Sequence, residues 1–149
     1  MPYFTRQITP NGLLMVIAYV GVSQGRRIAL QGAKSPIPDV QKVDGLLDTG
    51  ATCTCIDPSV LDQLGLAPTG STTVNTPTTG DTPAVANQYD VSVMIPAGPG
   101  HAPLIQQTVP VIKSWLLPKQ GFHALIGLDI LRGCHLTYDG QNGLFTLAY

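Results

Sequence analysis

The chain has 149 residues, a formal net charge of −1 and only 11% charged residues. Hydrophobic residues make up 44%, enough to build a core and too many for a disordered segment. Eight Lys and Arg stand against nine acids, so there is no basic stripe to hold phosphates, and nucleic acid is not expected as a partner. All nine acids are Asp, and 16 Gly and 13 Pro leave few strong helix formers, which excludes a helical bundle.

The longest apolar stretch, Leu13 to Val22, is ten residues, half of what a membrane-crossing helix needs (about 20). The N-terminus lacks the charged-then-apolar order of a signal peptide, so a cytoplasmic location is favoured. Three cysteines are too few and odd for a disulfide framework.

In chain order, Leu13 to Val22 reads as a buried strand after the Pro10-Asn11-Gly12 turn, and Arg27 to Leu30 is a candidate partner for it. Ala33 to Asp39 holds two Pro and reads as loop. Val43 to Leu47 is a short apolar strand running into Asp48, and Thr52 to Ile56 is another. Asp57 as N-cap, Pro58 at the first helical position and Gly65 past the end frame a short helix, Pro58 to Leu64. Thr69 to Pro83 has seven Thr in fifteen residues and reads as an exposed β-hairpin with Gly80-Asp81 at its tip. The alternative is a disordered linker.

From Ala84 to Ile95 the pattern alternates, with Tyr89, Val91, Val93 and Ile95 on one face and Gln88, Asp90, Ser92 and Met94 on the other. Ile105 to Ile112 and Leu125-Ile126 are further strands, Asp129 to Arg132 a turn or helix, and Cys134 to Tyr149 a hairpin around Asp139 to Gly143. The fold class is mostly β: a small closed or partly closed barrel, one domain over residues 1–149, with one or two short helices and a flap hairpin.

The chemistry centres on Gly45-Leu46-Leu47-Asp48-Thr49-Gly50-Ala51-Thr52. A carboxylate at the end of a buried strand, flanked by Leu46, Leu47 and Ala51, is costly without partners. The tight Thr49-Gly50 turn presents this acid rather than hiding it. Here the sequence resembles the aspartic proteases, specifically the single-lobed, retroviral-type (retropepsin-like) branch. Ala124-Leu125-Ile126-Gly127-Leu128-Asp129-Ile130-Leu131 is similar to that family's apolar-apolar-Gly segment, and Gly133 to Tyr138 to its closing strand. The resemblance runs from Val43 to Tyr149, and its C-terminal hairpin looks like that of the cellular enzymes such as the DNA-damage-inducible protein family. Two features depart from the viral pattern. Leu128 stands where an ion-pairing Arg is common, so local bracing must differ, and the flap lacks a multiple-Gly tip.

The resemblance implies an aspartic endopeptidase. One carboxyl group cannot act as base and acid at once, whereas two sharing a proton can. The chain has one Asp-Thr-Gly, so the resemblance implies a homodimer with Asp48 opposite its mate, Thr49 hydrogen-bonding across the axis, and Thr49 and Gly50 supporting the catalytic loop. It further implies that Ala51, Thr52, Gly80, His123 and Leu125 contact a peptide or protein substrate, with no metal and no cofactor. The alternative in another class is a catalytically silent dimeric peptide-binding module on the same fold. A third reading is a processing domain excised from a polyprotein.

Other readings of single residues stay open. Asp48 is also compatible with a structural turn. Asp57 and Asp129 read as helix caps. Cys53 and Cys55 with His135 could hold zinc, but C-x-C without a second pair reads as buried thiols. His123 faces the cleft or lies on the surface. Trp115 is expected in the core or an interface. Leu136, Tyr138, Leu144, Phe145, Leu147 and Tyr149 are expected to build much of the dimer interface.

Overall fold

The computed structural model describes residues 1–75, 82–115 and 118–149. Among the described residues ten strands form two sheets, with three α-helices and a 3-10 turn at Pro118–Gln120: β1 (Tyr3–Gln7), β2 (Met15–Val22), α1 (Gln24–Gly32), β3 (Gln41–Leu47), β4 (Cys55–Ile56), α2 (Pro58–Gln63), β5 (Gly70–Val74), β6 (Ala84–Ile95), β7 (Leu104–Lys113), β8 (Ala124–Ile126), α3 (Leu128–Leu131), β9 (His135–Asp139) and β10 (Leu144–Ala148). The larger sheet runs β2-β3-β8-β4-β7-β6-β5, and β2 also pairs with β6. Six strands therefore close into a barrel, and β5 hangs from β6 outside the ring. Closure removes the open edges that an isolated sheet would expose.

The barrel interior follows directly from alternation. Val16, Ala18 and Val20 of β2, Tyr89, Val91, Val93 and Ile95 of β6, and Ala124 and Ile126 of β8 are all buried. The face expected to be polar in β6 is the half-exposed one. α2 forms as its signals require: Asp57 caps it by accepting from the Ser59 N–H at 2.9 Å, Pro58 opens it, and Val60 and Leu61 enter the core.

Two elements differ from expectation here. Arg27 to Leu30 is not a strand but part of α1, whose N-cap is Ser23, accepting from the Arg26 N–H. α1 buries no residue, so its run carries no core-facing stripe to announce it. Helices are thus three rather than one or two. The strand expected over Thr52 to Ile56 shrinks to Cys55–Ile56, because Thr52 and Cys53 bend.

The C-terminal hairpin also packs differently. β9 and β10 pair as expected, but β1, not anticipated as a strand, adds to β10 with Phe4 opposite Leu147. Phe145 and Leu147 are 1% and 0% exposed within their own chain, and Phe145 meets Phe4 edge-on at 6.3 Å. These two side chains therefore complete this chain's core rather than waiting for a partner. Trp115, expected in the core or an interface, is 71% exposed in the chain.

The segment read as a hairpin or linker is, in its described part, a paired ribbon: Gly70 to Val74 lie antiparallel to Gln88 to Ala84. Gly80, expected at its tip and against substrate, lies outside the described residues. Among the described residues no helix is long and apolar enough to cross a membrane.

Candidate active site

β3 and β8 run parallel at the barrel centre, with Leu47 opposite Ile126. The chain leaves β3 at Asp48, whose N–H donates to the Ile126 carbonyl at 3.0 Å. The next residues turn tightly. Gly50 N–H donates to Asp48 Oδ1 at 2.8 Å, and Ala51 N–H reaches back to the Asp48 carbonyl at 3.3 Å. Asp48 is half-buried and Thr49 and Gly50 are exposed, so the turn does present the acid.

The facing segment locks onto this turn. Leu128 N–H donates to the Ala51 carbonyl at 2.8 Å, and Gly127 N–H to Thr54 Oγ1 at 3.1 Å. A Cβ at Gly127 would stand 2.6 Å from the Cys53 carbonyl carbon and oxygen and 3.0 Å from the Ala51 oxygen, so only glycine fits. The role expected of an Arg at position 128 falls to the next residue. Asp129 accepts from Thr54 Oγ1 at 2.7 Å and Thr54 N–H at 2.8 Å, and from Ile130 N–H at 3.0 Å. Asp129 is therefore not the cap of α3, which is Gly127, but a clamp between the two segments. Thr54 is fully buried. Sequence reading missed it, although a Thr between two cysteines on an alternating segment is a hydroxyl aimed inward.

Asp48 opens into a cleft of about 870 Å³. Gly50, Ala51, Thr52, Cys53, Cys55 and Leu125 form its floor, Thr72 to Asn75 with Ala86 and Gln88 of the β5–β6 ribbon one wall, and Pro110 with Ile112 to Ser114 another. Ala51, Thr52 and Leu125 are thus brought together with Asp48 as expected. His123 is not among the lining residues: it precedes β8, half-buried, its backbone bonded to Asp44 and Asp57. A smaller cavity of about 380 Å³, lined by residues including Tyr19, Arg27 and Met94, has no acid in its wall.

Burial, and then contact with the Cys53 thiol, pushes Cys55 up to about 12. Burial likewise raises Cys53. Both thiols therefore stay protonated near neutral pH and give the cleft a soft, weakly polar floor, not a thiolate nucleophile. His135 lies on β9 in the other sheet, and among the described residues no group of three or more His, Cys, Asp or Glu is arranged to hold a metal.

A family profile described as aspartyl protease matches residues 37–130, the span from the strand before Asp48 into α3. Among solved structures, a retropepsin-like aspartic protease from Rickettsia conorii superposes with a TM-score of 0.58 at 16% identity, covering 99% of this chain and 90% of that one. A search of curated protein sequences finds no match. The closed barrel, with Asp48 turning out of it into the cleft, has the retropepsin-like fold, and since the profile spans more than half its length, the chain belongs to the aspartyl protease family.

Proposed function

We propose that the chain is an aspartic endopeptidase that works as a homodimer through two Asp48 carboxylates. The observation that carries this reading is that Asp48 is presented at the head of a cleft floored by Ala51, Thr52 and Leu125, while Asp129, the other acid in the cleft wall, is engaged by Thr54. Two facing carboxyl groups retain one proton, because like charges about 3 Å apart cannot both ionise. The ionised one takes a proton from water, and the hydroxide adds to the peptide carbonyl. The protonated one donates to the carbonyl oxygen. Collapse of the tetrahedral species then releases the amine after protonation at nitrogen. Thr49, exposed beside Asp48, hydrogen-bonds across the dimer axis in this reading and keeps the two turns in register.

Asp48→Asn tests it. The amide fits the turn and can still accept from Gly50 N–H, but it cannot act as base. Cleavage of a random peptide library should fall by at least about 10³-fold, the scale of losing a general base, with circular dichroism and sedimentation unchanged. An Asp48→Asn protein that cleaves like the parent overturns the assignment. A parent that binds peptides without cutting them supports a silent peptide-binding module instead.

A further inference from the structure

The cleft carries an asymmetry that hydrolysis itself does not require. Among the described residues that line it one is a cation, Lys113, at the end of β7. The two lining acids are otherwise committed: Asp129 to Thr54, and Asp48 to the reaction proposed above. The Lys113 ammonium lies over the ring of Trp115, 4.8 Å from its centroid. That contact holds a flexible side chain in one place at the cleft wall while leaving N–H donors for another acceptor.

Strand register gives its separation from the scissile position. Leu46, Leu125, Cys55 and Ile112 stand abreast across β3, β8, β4 and β7. β7 runs opposite to β3, so Lys113 lies three residues behind Asp48 and three strands over. At about 4.8 Å between strands and about 3.3 Å per residue this is roughly 17 Å along the sheet surface, and less straight across the ring. The lysine side chain spans about a third of that distance. An extended peptide with its cleavable bond at Asp48 would therefore bring a residue three to five positions away against Lys113.

We propose that Lys113 is a specificity residue that selects peptides bearing an acidic side chain three to five residues from the cleaved bond. This rests on the peptidase reading and names its substrate class. The pair forms in a half-enclosed cleft of low charge, where an ion pair favours an acidic over an uncharged residue by about two- to fivefold. The preference weakens with added salt, because the cleft opens to solvent.

The test separates binding from hydrolysis. Trp115 is the chain's one tryptophan and sits against Lys113, so its fluorescence reports occupancy. The Asp48→Asn protein is titrated with synthetic decapeptides that differ only in Glu, Gln or Lys at one position, moved stepwise along the peptide. The Glu peptide should bind about two- to fivefold tighter than the Gln peptide at one or two adjacent positions. Adding Lys113→Met should abolish that ratio, and adding Lys113→Glu should invert it in favour of the Lys peptide. Equal binding of Glu and Gln peptides, a preference that survives Lys113→Met, or no binding of any peptide overturns the inference. Cleavage by the parent is then measured on the same peptides. Charge-selective binding without cleavage overturns the peptidase reading alone, and cleavage without charge preference overturns the Lys113 assignment alone.

Discussion

Thr54 and Asp129, 75 residues apart, are joined by two hydrogen bonds of 2.7 and 2.8 Å, one from the threonine hydroxyl and one from its backbone N–H. The same hydroxyl oxygen accepts from Gly127 N–H at 3.1 Å. A single buried side chain thus ties the segment after Asp48 to the segment that ends β8, using its one donor and one of its two acceptor lone pairs.

Replacing Thr54 with Val keeps the shape and removes the hydroxyl. Gly127 N–H loses its acceptor and Asp129 one donor. Leaving a buried donor unpaired costs about 1–3 kcal/mol, so urea unfolding should show a loss of about 2–3 kcal/mol. Peptide cleavage should fall with it, because both segments frame Asp48. Thr54→Ser, which retains the hydroxyl, should recover most of both. Unchanged stability in Thr54→Val would show that water replaces the clamp.

Gly127→Ala should be more damaging than any other single methyl addition in the barrel. The new carbon meets backbone atoms at 2.6 Å, and backbone cannot step aside as a side chain can. A loss of about 3 kcal/mol or more is expected, read as a drop in urea midpoint or as failure to accumulate folded protein. Gly45→Ala, whose added carbon finds ordinary contacts at 3.5 Å, is the matched control and should cost far less.

Alkaline stability should depend on Cys55. Its thiol ionises near 9 when unfolded but only near 12 in the folded chain. The folded state therefore holds the proton longer. The stability this group contributes is complete below about pH 9 and is lost as pH rises toward 12. The slope approaches at most about 1.4 kcal/mol per pH unit. Burial raises Cys53 and Cys134 too, and they act in the same direction. The comparison is therefore between the parent and Cys55→Ser, unfolded in urea at pH 8 to 10.5. The serine variant should show the shallower decline, and parallel curves would contradict the buried, neutral thiol.

Deleting residues 140–149 removes β10. Since Phe145 and Leu147 fill the chain's own core and β10 joins β1 to β9, the product should be unfolded rather than a folded monomer. Phe145→Ala alone should cost about 3–5 kcal/mol, as for other buried phenylalanines. Circular dichroism and sedimentation of both proteins check this. A folded, monomeric truncation would return the hairpin to the role of an interface element.

The fold class and the Asp48 turn were legible in the sequence for a physical reason. Alternation in β6, the capped α2 and the Asp-Thr-Gly turn are local patterns, each written within about a dozen residues. What escaped was written elsewhere. β1 has four exposed residues of five, three of them polar, and becomes a strand because β10 offers it an edge. α1 buries nothing, and its apolar residues are only Ile28, Ala29 and Leu30 in a row, which the sequence offers equally as a strand. The Thr54–Asp129 clamp joins residues too far apart for either to signal the other. Leu128 signalled only that some bracing had to be found, not where. His123 shares strand parity with Leu125, but β8 begins one residue after it, and parity does not extend past the end of a strand.

The seven-stranded sheet also divides into parts of unequal permanence. Each of the six ring strands is flanked on both sides, so freeing one means breaking two ladders and opening the barrel. β5 is held by one ladder of five residue pairs, from Gly70–Gln88 to Val74–Ala84. Its amides can trade hydrogen for deuterium through a local opening that leaves the ring intact, whereas those of the ring-paired stretch of β6 from Tyr89 to Ile95, and of β2, are expected to exchange only when the barrel opens. The wall of the cleft formed by Thr72, Thr73 and Val74 is accordingly on a faster clock than the floor beneath it. Loss of those five pairings would shift this wall while leaving intact the barrel that positions Asp48.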